Sequence, residues 1–317
     1  MPIPIGYLLP TRESVMEGRP EAAPLLKLAQ KAEGLGYDSI WVGDSLLARP
    51  RHEPLTLLAG VAGRTDHVKL GTAILIPALR NPVVMAHQIA TLDQVSDGRT
   101  IIGVGIAANV PNIQQEFKSA GVPWEKRVGR MLEGLRLCRA LWRGKPVNWD
   151  GRWQVEEGVL GPEPVQEGGP PIWIGGNAEA NVNRVGNEFD GWFPNHPDPK
   201  VVKGIWDNMQ AVAKKAGRKK EAISCTAYLT LSIGDDVPKA QAKADDFMFA
   251  YYGLRPDVLK KMQACFAGTF EQAVEYLQSY LDAGASQLVL RFAGDHDRHL
   301  NIMSKVRDHL KLSLTEF

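Results

Sequence analysis

Residues 68–107, VKLGTAILIPALRNPVVMAHQIATLDQVSDGRTIIGVGIA, constrain the fold of this chain more than any other stretch. Residues 68–77 form an apolar, β-branched run closed by Pro77, which suits a strand buried on both faces. Asn81-Pro82 starts a helix with proline at its first position. Val83, Ala86, His87, Ala90 and Leu92 follow at roughly helical spacing. Asp97-Gly98 is a turn, and residues 100–104 read as a second buried strand. Two buried strands joined by a helix make a βαβ unit, which requires a parallel sheet. In parallel α/β folds the chemistry sits at the C-terminal ends of the strands. Here those ends are 72–75 (Thr72, Ala73, Ile74, Leu75) and 105–109 (Gly105, Ile106, Ala107, Ala108, Asn109).

The rest of the chain repeats the pattern. Strands are expected at 3–9, 39–43, 171–174, 190–193, 224–233 and 287–292, and helices at 21–35, 52–62, 125–142, from 178, 200–215, 269–283 and 298–310. Eight strands, each followed by a helix, are the signature of a (β/α)8 TIM barrel. A doubly wound sheet rarely needs eight regular units. The 317 residues read as a single domain, 1–317, with insertions after strands four and seven at about 108–124, 144–170 and 235–266. The first is read as irregular and polar. The second contains WDGRW, a hairpin tip turning at Asp150-Gly151. The third is read as mostly helical, with an aromatic run from Phe247 to Tyr252 that serves as core packing or as a lid.

Composition removes several classes of function. A net charge of +1 gives no reason to expect nucleic acid or an anionic membrane as partner. The start, MPIPIGYLLPTRES, lacks the basic and apolar regions of a signal peptide, and no apolar run has the length of a membrane span, so a cytoplasmic protein is expected. Cys138, Cys225 and Cys265 lie in no metal or redox spacing and read as reduced structural thiols. No HExxH, paired histidine spacing or acidic cluster points to a metal. No GxSxG or Ser/His/Asp order points to a hydrolase.

The candidate site residues come from strand ends. Gly175, Gly176, Asn177 and Ala178 follow a strand and open a helix. Such a junction offers backbone N–H groups at the positive end of a helix, which suits phosphate. The plain alternative is a tight turn. GVGIAAN, 103–109, lacks the third glycine of a dinucleotide fingerprint, so its glycines are read as letting a flat ligand lie against the barrel mouth. Asp44 and Ser45 end strand two, where the acid either accepts a hydrogen bond from a ring N–H or orients a neighbour, or else serves as an N-cap or salt-bridge partner. Tyr7, Asn109, Asn195, His196 and Arg291 also sit at strand ends, and Arg291 has the chemistry to hold a carboxylate or phosphate. His87 is read as a buried or interface histidine.

GYDSIWVGDS, the 68–105 stretch, PPIWIGGNAEANVNRVG and DGWFP together resemble the luciferase-like monooxygenase superfamily, over most of residues 1–195. Its members are (β/α)8 barrels using FMN or the deazaflavin F420. The resemblance implies a non-proline cis bond at Ala73 and Ile74 that supports the cofactor ring, with Thr72 beside it. It implies that Gly105, Ile106 and Ala107 flank the ring and tail, and that the backbone of Gly175, Gly176, Asn177 and Ala178 holds the cofactor phosphate. Asp44, Ser45 and Asn109 would then contact substrate or ring edge, with Tyr7, Asn195 and Arg291 as further substrate contacts. There are departures. Ser45 stands where several relatives have histidine. Ala108 stands where F420 members acting on sugar phosphates have glutamate. Ile106 and Ala107 occupy the region where some FMN members have arginine.

The expected activity is therefore redox, on a small organic substrate. Reduced FMN would support oxygenation, with a separate reductase as partner, and F420 would support hydride transfer; the wording WVGDS and IWIGG lies closer to the F420 side. Relatives dimerise through helices that here would be 52–62 and 82–95. The alternatives are a non-redox barrel, an isomerase or aldolase taking a phosphorylated substrate, and a non-catalytic flavin-binding relative.

Overall fold

The computed structural model describes residues 2–311. Its strands are β1 (Ile5–Leu8), β2 (Ser39–Val42), β3 (Lys69–Leu75), β4 (Thr100–Val104), the hairpin β5 (Val147–Asp150) and β6 (Gln154–Gly158), β7 (Ile172–Gly175), β8 (Gly191–Phe193), β9 (Ser224–Ile233), β10 (Cys265–Gly268) and β11 (Gln287–Phe292). The main sheet runs β10-β9-β11-β1-β2-β3-β4-β7-β8, and a further parallel pairing of β8 with β9 closes it. Setting β10 aside, eight parallel strands form the ring, the (β/α)8 barrel that the strand count predicts.

Strands that read as continuous apolar runs alternate between two cores. Ile40, Val42, Ile102, Val104, Ile172, Ile174 and Trp192 face the helices. Leu8, Trp41, Ile101, Trp173, Phe193 and Val289 fill the barrel interior. Trp41 stacks on Trp173 and Phe193, with ring centroids 5.4 and 5.2 Å apart, and Phe193 stacks on Tyr228 at 5.7 Å. The indoles need glycine opposite them. A Cβ at Gly71 would lie 2.2 Å from the Trp41 ring, and one at Gly191 would lie 2.6 Å from that of Trp173.

The helix starts are encoded locally. Asn81 caps Pro82–Val95 by accepting from the Val83 and Val84 N–H groups at 2.9 and 3.3 Å. Thr269 and Gln272 form a reciprocal capping box on Phe270–Asp282. The 144–170 stretch carries the antiparallel hairpin expected at Asp150-Gly151.

The structure departs from the expectations in four places. The stretch 108–124 is not irregular throughout: Pro111–Ser119 is a helix, with Ile113, Glu116 and Phe117 buried at helical spacing and Phe117 packed edge-on against Trp124. The stretch 235–266 ends in a strand. β8 pairs with only the first residues of β9, and β10 hydrogen-bonds the remaining edge, Cys265 to Thr230 through Gly268 to Ile233. A short helix, Thr11–Met16, follows β1 where none is read from the sequence. The helix expected over 298–310 is split into His296–Met303 and a 3-10 turn, Val306–His309.

Two histidines of that segment are held neutral. The Nε2 of His299 accepts from the Ile233 N–H at 3.0 Å, so Nδ1 carries the proton and donates to the Asp295 carbonyl at 2.8 Å. Burial pushes His296 down to about 3, and its Nδ1 lies 2.9 Å from the Tyr7 hydroxyl, which burial keeps protonated. Both folded values lie below the ordinary histidine value, so the unfolded chain binds more protons at mildly acidic pH and stability falls as pH drops below about 6.5. We expect His296 alone to contribute a slope of up to ~1.4 kcal/mol per pH unit. Urea midpoints at pH 7 and pH 5 should lie closer together in His296→Phe than in the native chain. An unchanged difference would mean that His296 is charged in the folded state.

Candidate active site

The C-terminal ends of the barrel strands surround a cavity of ≈ 330 Å³. Its floor is the top of the interior aromatic stack, Phe193 and Tyr228. One wall is Ile74. The Ala73–Ile74 peptide is cis, as the resemblance implies. Glycine is required around Ile74: a Cβ at Gly105 would lie 1.9 Å from Ile74 Cδ1, and one at Gly175 would lie 3.0 Å from Ile74 Cγ2. The result is a shelf with little relief, Ile74 between two bare backbones. Beside Gly105, Ala107 takes a left-handed φ of 63° and turns the loop away from β4.

At the end of that shelf lies the 175–178 loop. Gly176 has φ 92°, and a Cβ there would meet nothing within 4 Å. Trp192 Nε1 donates to the Gly176 carbonyl at 2.8 Å, and Asn181 Nδ2 donates to the same oxygen at 3.1 Å. The carbonyls thus point into the protein. The Gly176 N–H donates to the Phe193 carbonyl at 3.3 Å, and the Asn181 and Val182 N–H groups of the helix Ala180–Asn187 donate to the Ala178 and Glu179 carbonyls at 2.8 and 2.9 Å, which leaves the N–H groups of Asn177 and Ala178 without a backbone partner among the described residues. Asn177 donates to Asn195 Oδ1 at 3.2 Å, while its own Oδ1 is buried with no partner among the described residues. Backbone donors at a glycine turn fit the phosphate of a flavin-type cofactor, and the orphaned buried oxygen, an acceptor, fits a hydroxyl of the chain that carries that phosphate.

Asp44 does not reach into the cavity with a free oxygen. It is paired with Arg80, Oδ2 at 2.5 Å from Nη1 and Oδ1 at 3.1 Å from Nη2, and Oδ2 also accepts from the Ile76 N–H at 2.8 Å. The pair is nearly closed off from solvent, with the two side chains 1% and 13% exposed. Asp44 therefore fixes the backbone two residues beyond the cis bond.

Ser45 is likewise engaged. Its hydroxyl donates to Glu116 Oε1 at 2.7 Å and accepts from the Arg49 N–H at 3.0 Å. The same Glu116 oxygen accepts from the N–H groups of Leu46, Leu47 (2.7 Å) and Ala48 (3.1 Å). One carboxylate oxygen thus gathers the loop after β2. The other, Oε2, is buried without a partner among the described residues, and Glu116 lines the cavity. Glu116 is a site residue that the sequence analysis missed, because it lies in the helix that was read as irregular.

The cavity brings together eleven of the residues read from strand ends: Asp44, Ser45, Ala73, Ile74, Gly105, Ile106, Ala107, Ala108, Gly175, Gly176 and Asn195. It does not include the others. Thr72 is fully buried and donates to the Gly103 carbonyl at 2.7 Å, bracing β3 on β4. Tyr7 is fully buried against Phe292 and His296. Asn109 is exposed and accepts from the Gln114 side chain. Ala178 is exposed, and Asn177 sits behind the loop. Arg291 is fully buried beneath the mouth, donating to Thr230 Oγ1 and to the Tyr252 hydroxyl. The cations in the cavity wall are Arg49 and Arg51 instead, beside Tyr251 and Tyr252 of the helix Val237–Tyr252. The aromatic run of that helix is therefore both packing, through buried Met248 and Tyr251, and cavity wall. Among the described residues no group of three or more His, Cys, Asp or Glu side chains is placed to hold a metal, and no helix is long and apolar enough to cross a membrane.

Removing Arg80 leaves Asp44 buried and unpaired. We expect Arg80→Met to cost about 3 kcal/mol in urea denaturation, and Asp44→Asn, which keeps an acceptor for Ile76, to cost less. Equal midpoints for Arg80→Met and the native chain would show that the pair is not what holds the β2 and β3 ends together.

The chain is similar to the 5,10-methylenetetrahydromethanopterin reductase of Methanolobus tindarius, 30% identical over 239 residues, covering 74% of this chain and 70% of the relative. It is also similar to the F420-dependent glucose-6-phosphate dehydrogenase of Nocardia farcinica, 30% identical over 319 residues and covering 89% and 91%. In fold it resembles an F420-dependent secondary alcohol dehydrogenase solved with an F420-acetone adduct, with TM-score 0.81 at 20% identity over 98% of this chain and all of that one (100%). The sequence pattern of the luciferase-like monooxygenase family matches residues 3–308, and on that match, with the barrel and its mouth as described, the chain belongs to the luciferase-like monooxygenase family.

Proposed function

We propose that this chain is an oxidoreductase that binds the deazaflavin F420 at the barrel mouth and uses it to oxidise or reduce a small organic substrate. The observation that carries this reading is the shelf at Ile74, bared by Gly105 and Gly175, with the 175–178 loop at its end. A flat ring system fits against the shelf, and a phosphate fits the N–H groups of the loop. The 30% identical relative named for F420 supports the deazaflavin over FMN. The absence of a cation in the 105–108 loop agrees, since Ile106, Ala107 and Ala108 leave only backbone for any phosphate there. We further propose a cytoplasmic homodimer built on Pro54–Ala62 and Pro82–Val95, in agreement with exposed Val84 and Val95.

The cofactor, when bound, supplies the hydride chemistry. The chain supplies position and electrostatics. Ile74 and the two glycines set the plane against which a ring can lie. Asp44, through Arg80 and the Ile76 N–H, keeps the 73–76 backbone in place. Phe193, Tyr228 and Tyr251 keep the lower cavity apolar and limit water there. Glu116 Oε2 is the acceptor left for an N–H or O–H of the bound molecule. Ser45 positions Glu116 and has no free lone role of its own.

The test is equilibrium binding of F420 and FMN, each oxidised and reduced, followed by fluorescence quenching under anaerobic conditions. We expect F420 to bind at least about tenfold more tightly than FMN, and Gly176→Val to weaken it by about the same factor, because a β-branched residue strongly disfavours φ 92°. Tight binding of reduced FMN alone would replace hydride transfer by oxygenation. Binding of neither would overturn the assignment of the 175–178 loop and favour a non-redox barrel enzyme with a phosphorylated substrate.

A further inference from the structure

The side of the mouth away from the glycine loop carries more positive charge than the protein neutralises. Arg49 and Arg51 are half-buried in the cavity wall. Arg12 and Arg291 lie behind them. The four guanidinium groups are interleaved with two tyrosine rings: Arg12, Arg51 and Arg291 lie 4.9, 5.6 and 4.8 Å from the centroid of Tyr251, and Arg49 and Arg291 lie 4.8 and 5.3 Å from that of Tyr252. Cation–π contacts keep the arginines in place without cancelling their charge. Glu13 is the buried carboxyl whose charge reaches Arg12, Arg51 and Arg291. Glu116 lines the same cavity with one oxygen already given to Ser45 and three N–H groups. Asp44 is matched by Arg80. Four cations thus face two carboxyl groups, and among the described residues neither Arg49 nor Arg51 has an ion-pair partner. Arg12 Nε and Nη1 are buried with no hydrogen-bond partner among the described residues. Burial, together with the neighbouring arginines Arg51 and Arg291, holds Arg49 below the ordinary guanidinium value. A charge in that state gains from any anion brought to it.

The ring order separates this cluster from the proposed cofactor loops. Going round the barrel, β2, which precedes Arg49 and Arg51, is three strands from β7 and two from β4, while β1 is four from β7 and β11 is four from β4. Arg12 follows β1, Arg49 and Arg51 follow β2, and Arg291 is on β11. The glycine loops follow β4 and β7. An anion held by Arg49 and Arg51 is therefore separated from the 175–178 loop by the ends of β3 and β4, and it belongs to a different group from the cofactor phosphate.

We propose that Arg49 and Arg51 form the subsite for an oxyanionic group of the substrate, a carboxylate or a phosphate, at the part of the mouth above β2 and away from the 175–178 loop. This rests on the barrel-mouth reading above for the word substrate, and not for the anion site itself. Arg51 Nε donates to the Arg49 carbonyl at 3.1 Å and Arg51 is also hydrogen-bonded to Tyr251, which ties the loop carrying both arginines into one unit and leaves the guanidinium of Arg49 to donate in pairs. Tyr251 and Tyr252 exclude water from one face of that fork. The partner chemistry is a small acid rather than a neutral alcohol, aldehyde or alkane.

The experiment is calorimetric titration of the full chain with sodium benzoate and, separately, with inorganic phosphate, in the native protein and in Arg49→Met, Arg49→Lys and Gly176→Val. Binding of F420 is measured in the same proteins, and near-ultraviolet circular dichroism checks that each is folded. We expect at least one of the two anions to bind the native chain, Arg49→Met to weaken it about tenfold, Arg49→Lys to weaken it less, and Gly176→Val to leave it unchanged. F420 binding should be the same in the Arg49 variants as in the native chain. Equal anion binding in native and Arg49→Met, or no anion binding to the native chain, would overturn the proposal. So would loss of F420 affinity in step with anion affinity, which would assign the arginines to the cofactor. If the native chain binds an anion through Arg49 but neither F420 nor FMN, the anion subsite stands and the cofactor reading falls.

Discussion

The aromatic stack inside the barrel is the constraint on which the rest of the molecule depends. Trp41, Trp173, Phe193 and Tyr228 come from β2, β7, β8 and β9, and they fill the interior from strand to strand. Rings of this size fit only where the facing strands carry no side chain, which is why Gly71 and Gly191 cannot become alanine without moving an indole. The stack closes the barrel below and ends at Phe193 and Tyr228, so the cavity above it begins at a fixed height. Every group at the mouth is positioned relative to that surface. Close-packed interiors transmit small volume changes to their neighbours, and here the neighbour is the site.

Above the stack, polar groups are fixed before any ligand arrives. Asp44 is spent on Arg80 and the Ile76 N–H. Glu116 Oε1 gathers Ser45 and three backbone N–H groups. Both carboxyl groups look like catalytic acids when seen only as residues near a cleft. Their hydrogen bonds show instead that they hold the loops after β2 and β3, and that just one oxygen, Glu116 Oε2, is left over. The distinction follows from the cost of burying an unpaired charge. A protein can keep an acid at a dry site if its lone pairs are satisfied, and whatever is left unsatisfied points to the ligand.

The positive side of the mouth follows different logic. Arg49, Arg51, Arg12 and Arg291 are interleaved with Tyr251 and Tyr252 rather than paired with acids. A guanidinium can be held in this way because it is planar and weakly hydrated, whereas an ammonium would be far harder to place between rings. The arrangement keeps charge available at the cavity while the side chains remain ordered, an instance of preorganisation made by packing and not by counter-ions.

Much of this was legible in the chain. The βαβ stretch at 68–107 fixed a parallel sheet, strand-helix alternation counted out the eight strands, and Asn81-Pro82 and Thr269 marked their helices, because these are short-range patterns carried by the local sequence. The glycines of GVG and IGG marked the mouth for the same reason. What the sequence could not decide was which strand-end residues face the cavity. Tyr7, Thr72 and Arg291 sit at strand ends but turn into the protein, since a one-residue change of register moves a side chain to the other face. The strand β10 exists only because β8 leaves part of the β9 edge unpaired. Glu116 and the Arg49–Arg51 pair belong to the site only because a helix and a loop from different parts of the chain meet above β2. Local order was determined by the residues themselves; the assignment of charge to partner or to ligand was decided by tertiary packing, because only the folded chain brings the competing donors and acceptors within reach.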